Sequence, residues 1–166
     1  RERYPMRTIP LTRGYVATIS NKDFARINKK KWSANVTASG MVRAVRMQVV
    51  SGKKKYIYMH REVLNAPPKM EVDHRNHHTL DNTRGNLRLA TRQQQLFNQL
   101  RCGRNTTGYK GVSADNVRKR FRVVVRKSGV YHFVGRFDSV IEAAKAYDKK
   151  ARELFGEFAC TNFKRS

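Results

Sequence analysis

Short apolar runs separated by Gly and Lys clusters fill the first third of the chain, at positions 14–19, 41–50 and 55–59. Their length and β-branched content predict strands. Between the first two runs, Ser20 followed by Asp23 has the form of a capping box. Phe24 and Ile27 would anchor a short helix running to about Lys30. Positions 67–100 break this pattern. They are rich in His, Asn, Asp and Arg and poor in aliphatic residues, so a core role does not explain them and the chemistry is sought there. Positions 101–108 are polar and carry two glycines, as a linker does.

From Tyr109 the pattern predicts three strands and one helix. Alternation over 120–126 puts Phe121, Val123 and Val125 on one face and Arg120, Arg122 and Arg126 on the other. The same alternation continued over 131–137 assigns Tyr131, Phe133 and Phe137 to one side and His132, Val134 and Arg136 to the other, with Ser128-Gly129 as the turn. Ser139 with Glu142 forms a capping box. Val140, Ala144, Tyr147, Ala151 and Leu154 then recur at helical spacing until Gly156. That helix is expected to cover the apolar side of a sheet whose other side is cationic.

Charge sharpens this picture. Thirty-six Lys and Arg against 12 Asp and Glu give a formal net charge of +24, which implies a polyanionic partner. The imbalance is local: positions 101–136 hold ten basic residues and one acid, Asp115, whereas 138–155 hold four of each sign. The sheet is therefore the expected nucleic-acid face and the helix its support. No stretch approaches the roughly 20 apolar residues of a membrane span. The charged first residues have no signal-peptide form, so a reducing intracellular location is expected, in a bacterial or phage-infected cytoplasm or an organelle. Cys102 and Cys160 lack partners at zinc-ligand spacing and are expected as thiols rather than a disulfide.

The segment Met70 to Arg88 contains Asp73-His74, then Leu80-Asp81-Asn82, then Asn86-Leu87-Arg88 before a predicted helix. It resembles the HNH nuclease motif. The resemblance implies a β-hairpin and helix around one divalent metal ion, Mg2+ or Mn2+, with His74 as general base and Asp73 as a metal ligand. Asn86 would fix the loop and orient the base. Such residues suit phosphodiester hydrolysis, which needs an activated water and a counter-charge for the transition state. Gln95 stands where many relatives carry a second metal-binding Asn, so its amide oxygen is the corresponding ligand, and Asn98 is a weaker candidate. Asn82 is a supporting residue. His60, in Tyr58-Met59-His60-Arg61, resembles a family segment that leads into the hairpin, and either packs or bonds beside the site.

Gly108-Tyr109-Lys110-Gly111-Val112, Gly135-Arg136-Phe137-Asp138, the 142–148 run Glu-Ala-Ala-Lys-Ala-Tyr-Asp and Asn162-Phe163 together resemble an AP2 domain. That family implies DNA contacts from Lys110, Arg120, Arg122, Arg126 and Arg136. The whole reads as an α+β chain. Positions 1–100 form a β-rich region leading into a ββα-metal segment at about 68–100. Positions 101–108 are a linker, and 109–166 are an AP2-like three-stranded antiparallel sheet packed on one helix. The function it implies is a site-specific homing endonuclease acting on double-stranded DNA as a monomer, without a membrane or small-molecule partner. A non-catalytic DNA-binding regulator derived from such a nuclease is the alternative. An RNA-binding structural protein would suit the charge but leaves the Asp-His-Asn set unexplained.

Overall fold

Residues 5–98 and 105–163 are described by a computed structural model of the chain. The chain divides into two units, Arg1–Thr91 and Arg92–Ser166. Positions 101–104 of the expected linker, with Cys102, lie outside the described residues.

In the first unit, β1 (Met6–Pro10) and β2 (Val16–Ser20) form an antiparallel pair and α1 (Asn21–Ile27) follows directly. Next come β3 (Ser33–Val36), β4 (Val42–Val50) and β5 (Lys53–Tyr58), an antiparallel meander. The last strand ends at Tyr58 because α2 (Met59–Leu64) begins there, burying Met59 and Val63 at i, i+4 spacing. Asn65, at φ 48, closes the helix in the left-handed conformation that Asn tolerates. Then β6 (Glu71–His74), β7 (Asp81–Asn82) and β8 (Leu87–Ala90) complete the unit. Strands β6 and β8 pair antiparallel, while β7 leaves the hairpin loop to pair in parallel with β2. Ile9, Ala17, Ile19, Ile27, Trp32, Met59, Val63, Val72 and Leu87 share one core, so the hairpin and the N-terminal strands are a single packed body.

The expected capping box at Ser20 does not form. Ser20 makes no side-chain bond to α1; its hydroxyl instead accepts from the backbone N–H of Arg84 at 2.9 Å. Asp23 is buried beneath the same residue, accepting from Arg84 Nε at 2.7 Å and from Arg26 at 2.9 Å. Both side chains are spent on the loop between β7 and β8, because leaving a buried carboxylate without cationic donors costs more than a helix cap returns.

The second unit begins with α3 (Arg92–Phe97), the helix that carries Gln95. Strands β9 (Val112–Asp115), β10 (Arg120–Lys127) and β11 (Val130–Phe137) form an antiparallel sheet with β10 at its centre, and α4 (Val140–Phe155) packs on it. Ser139 caps α4 by accepting from the N–H of Ile141 at 3.3 Å. Gly111 is fixed by sterics: its φ is +74 and a Cβ there would come within 2.0 Å of the Tyr147 ring. Asp148, buried in α4, accepts from the backbone N–H groups of Asn162 at 2.7 Å and Phe163 at 2.9 Å, tying the C-terminal segment to the helix.

Strand β11 corrects the expected faces. Register with β10 shifts between Val123, opposite Gly135, and Val124, opposite Phe133, leaving Val134 as the extra residue of a bulge. Phe137 and Val134 consequently pack on the core, and Tyr131 and Phe133 turn outward onto the arginine side, 67% and 54% exposed. Uninterrupted alternation had placed these two rings on the apolar side.

Candidate functional site

His74 ends β6, where the pairing places it opposite Leu87 and Asp73 opposite Arg88. The hairpin buries all three ionisable groups. Arg88 donates from Nε at 2.8 Å and approaches with Nη2 at 2.6 Å, both to Oδ2 of Asp73. The loop between the strands is held by Asn86, whose Oδ1 accepts from the N–H of Asn76 at 3.0 Å and whose Nδ2 donates to the Asp81 carbonyl at 2.8 Å. Asp81 further accepts from Thr83 Oγ1 at 2.8 Å and Asn76 Nδ2 at 2.9 Å. The loop is thus closed by its own polar side chains.

Beside the His74 ring stand residues from two other elements. His60, on α2, meets it edge-on with ring centroids 5.2 Å apart and stacks on Tyr58 at 5.4 Å. Asn82, on β7, is fully buried and anchored by its Nδ2 to the Leu80 carbonyl at 3.2 Å. Its Oδ1 makes no hydrogen bond of normal geometry, yet Asn82 is the strongest of the groups that favour a protonated His74. Burial opposes and outweighs it: the proton affinity of His74 falls below the ordinary histidine value despite the help of Asn82, Asp73 and Asp81, and Arg43 lowers it further. His60 is pushed down to about 3, first by burial and then by His74, Arg43 and Arg61. Both imidazoles are therefore neutral at neutral pH, and a neutral imidazole can accept a proton.

Among the described residues no group of three or more His, Cys, Asp or Glu comes together, so a tetrahedral zinc cage is not built here. Asp73 as a single carboxylate beside the histidine fits instead a hard cation of the Mg2+ kind, which takes one or two carboxylates and fills its shell with water and phosphate oxygens. Gln95 lies on α3 in the second unit, and Asn98, also in that unit, is buried just beyond the same helix.

The second candidate surface is the outer face of the β9–β11 sheet. Arg122 and Arg136 lie directly opposite one another, a like-charge pair that disfavours the sheet unless an anion bridges it. Arg136 donates to Asp115 at 2.8 Å, and Arg120 grips Asp138 with Nε and Nη2 at 2.6 and 2.9 Å. Arg122 and Arg126 have no carboxylate partner among the described residues; their guanidinium groups lie over Phe133 at 6.0 Å and Tyr131 at 5.2 Å. Lys110 is engaged differently from these four arginines. Its Nζ donates to the Phe97 carbonyl at 3.2 Å, and burial lowers its proton affinity.

Sequence reasoning missed Arg88, Arg84 with Asp23, and the two outward rings. An isolated Gly inside a strand pattern, Gly135, was the available sign of the bulge. Arg88 was legible only as the residue across the hairpin from Asp73, and nothing local joins Asp23 to Arg84, 61 positions away.

Residues 65–96 match the HNH endonuclease family. An uncharacterized HNH endonuclease of Acanthamoeba polyphaga mimivirus is 40% identical over 96 residues, 58% of this chain and 49% of the relative. Protein 3.8 of Escherichia phage T7 is 34% identical over 100 residues, 59% of this chain and 82% of the relative. The chain carries an HNH endonuclease family domain, which includes β6, β7 and β8. It spans about half the length of the mimivirus relative.

Proposed function

We propose that the chain is a site-specific DNA endonuclease of the homing type, in which the first unit hydrolyses a phosphodiester bond and the second, read as AP2-like, holds the duplex. The observation that carries the reading is His74: buried at the end of β6 beside Asp73, with its proton affinity lowered so that the ring is neutral and ready to accept a proton. His74 is the general base that takes the proton of the attacking water. Asn82 steadies the ring, and Asn86 keeps the 75–86 loop closed around it. Asp73 is the residue that would hold a divalent ion, Mg2+ or Mn2+. When bound, the ion supplies counter-charge to the phosphate in the transition state. Arg122 and Arg126, with Arg120 and Arg136 beside them, read or clamp the duplex, and Tyr131 and Phe133 add ring surface between them. Action inside an infected cell agrees with the sources of the mimivirus and phage relatives.

The test is incubation of the chain and of His74→Ala with a library of duplexes, in Mg2+, Mn2+ and EDTA. Metal-dependent cleavage by the parent and none by the variant supports the reading; equal cutting by both sinks the base assignment. Binding without cleavage at any metal concentration would instead support a non-catalytic DNA-binding regulator. That second reading is favoured by the grip of Arg88 on Asp73. Restoration of cleavage by Gln95→Asn would then mark a lapsed nuclease.

A further inference from the structure

The hairpin of β4 and β5 carries a surface that folding alone does not explain. Met47, Val49 and Tyr56 are 54%, 61% and 59% exposed, in a unit whose core is made elsewhere. Cross-strand pairing puts Val45 opposite Tyr58, Met47 opposite Tyr56 and Val49 opposite Lys54, so these six residues share one face of the ribbon. That face starts at the candidate active site, because Tyr58 stacks on His60 and His60 meets His74. It then runs outward through Tyr56 to Lys54. Lys53 and Lys55 occupy the opposite face, and no Asp or Glu occurs in the sequence between Asp23 and Glu62. The turn is a tight two-residue one, Ser51 and Gly52 at φ 50 and 73, which holds the ribbon in a fixed twist.

Three lysines on β5, the edge strand of its sheet, also discourage edge-to-edge pairing, but edge protection does not call for exposed Met47, Val49 and Tyr56 beside them. A second copy of so basic a chain would be repelled by this hairpin. A polyanion with apolar ring faces would be attracted, and a two-stranded ribbon has the width that the major groove, about 12 Å across, admits.

We propose that the β4–β5 hairpin is a second duplex-DNA-binding element that enters the major groove beside the cleaved bond, with Lys53, Lys54 and Lys55 on phosphates and Met47 and Tyr56 against sugars and base edges. Its placement beside a cleaved bond rests on the nuclease reading; its binding of DNA does not. The test uses the full chain and a duplex carrying its cleavage site. Replacing Lys53, Lys54 and Lys55 together by Gln is expected to make the log–log salt dependence of binding shallower by up to about 2.7, at roughly 0.9 per phosphate contact. It is also expected to erase the hydroxyl-radical protection that flanks the cut while leaving protection elsewhere. The Lys→Arg triple variant should retain both. In the parent, duplex should shield the three lysines from amine acylation, a readout that needs no variant to fold. A parent-like slope and footprint in the Gln variant, or acylation unchanged by duplex, overturns the inference and leaves the nuclease reading standing. A parent that binds no DNA overturns both. A concentration-dependent dimer broken by Tyr56→Ser, with the footprint intact, overturns the inference in favour of contact between copies.

Discussion

The two units treat charge in opposite ways. In the first, Asp73 and Arg88 face each other with side chains only 8% and 6% exposed, and His74 is buried beside them. In the second, the Arg120–Asp138 pair stands at 48% and 76%, and Arg122 and Arg126 lie open over aromatic rings. Burial strengthens an electrostatic interaction and alters proton affinity, which is what a reaction needs. Exposure leaves guanidinium donors available to a ligand at low desolvation cost, which is what recognition needs. Chemistry and recognition are thus expected to fail separately, and the largest expected effect tests that. His74→Ala should lower the cleavage rate by about 10²- to 10⁴-fold, the usual contribution of a general base, while the Kd for duplex stays within a few-fold. A comparable loss of binding would mean that the units are not separable in function.

Removing Asp73 is expected to do something the histidine variant does not. Asp73→Ala leaves Arg88 buried without its carboxylate, and breaking such a pair on one side costs about 3 to 5 kcal/mol of stability. Cleavage and Tm should fall together, whereas Asp73→Ala combined with Arg88→Met should recover much of the Tm and none of the cleavage. If Asp73→Ala melts like the parent, the ion pair contributes nothing and the carboxylate is held for the metal alone.

This buried pair also marks the limit of what the sequence discloses. Asp73, His74, Asn82 and Asn86 were readable because their order along one hairpin is itself the pattern. The strand alternation of β10 was readable because Val123 and Val125 answer directly to burial. Strand β1 was not: of Met6–Pro10 only Ile9 is buried, too sparse a signal for periodicity. The outward turn of Tyr131 and Phe133 depended on one extra residue, Val134, which moves every side chain before it to the other face. Lys110 was assigned to DNA from a matched position, while its ammonium is engaged by the Phe97 carbonyl. Local pattern records which residues a strand buries; it does not record which distant atom a polar side chain will reach.

In the second unit, Arg122→Ala and Arg126→Ala are each expected to weaken specific binding by about 1 to 3 kcal/mol where the guanidinium reads a base, with cleavage at saturating duplex unchanged. Arg136→Ala should cost less, since Asp115 already engages that side chain. Phe133→Ala should act in the same direction as Arg122→Ala by removing the ring beneath two guanidinium groups, those of Arg122 and Arg136. Competition by specific and random duplexes at fixed salt measures all four. Equal losses for both duplexes would mean that the sheet clamps phosphates and does not read sequence.

The smallest expected effect returns to the buried histidines and is read in stability. The proton affinity of His60 is lowered in the folded chain to about 3, while in the unfolded chain it lies near the ordinary value of about 6.5. Between these values the unfolded chain binds a proton that the folded chain refuses, so the stabilisation is complete above about pH 6.5 and is lost as pH falls. One such group contributes a slope of up to about 1.4 kcal/mol per pH unit. His74, lowered in the same direction, adds to the slope in the part of the window nearest 6.5. His60→Phe keeps a ring against Tyr58 and His74 but removes the titration, so denaturant unfolding between pH 6.5 and 5, above the range where carboxylates protonate, should show a reduced dependence on pH. An unchanged slope would mean that His60 charges freely in the folded chain, and the pair of neutral rings proposed beside Asp73 would have to be abandoned.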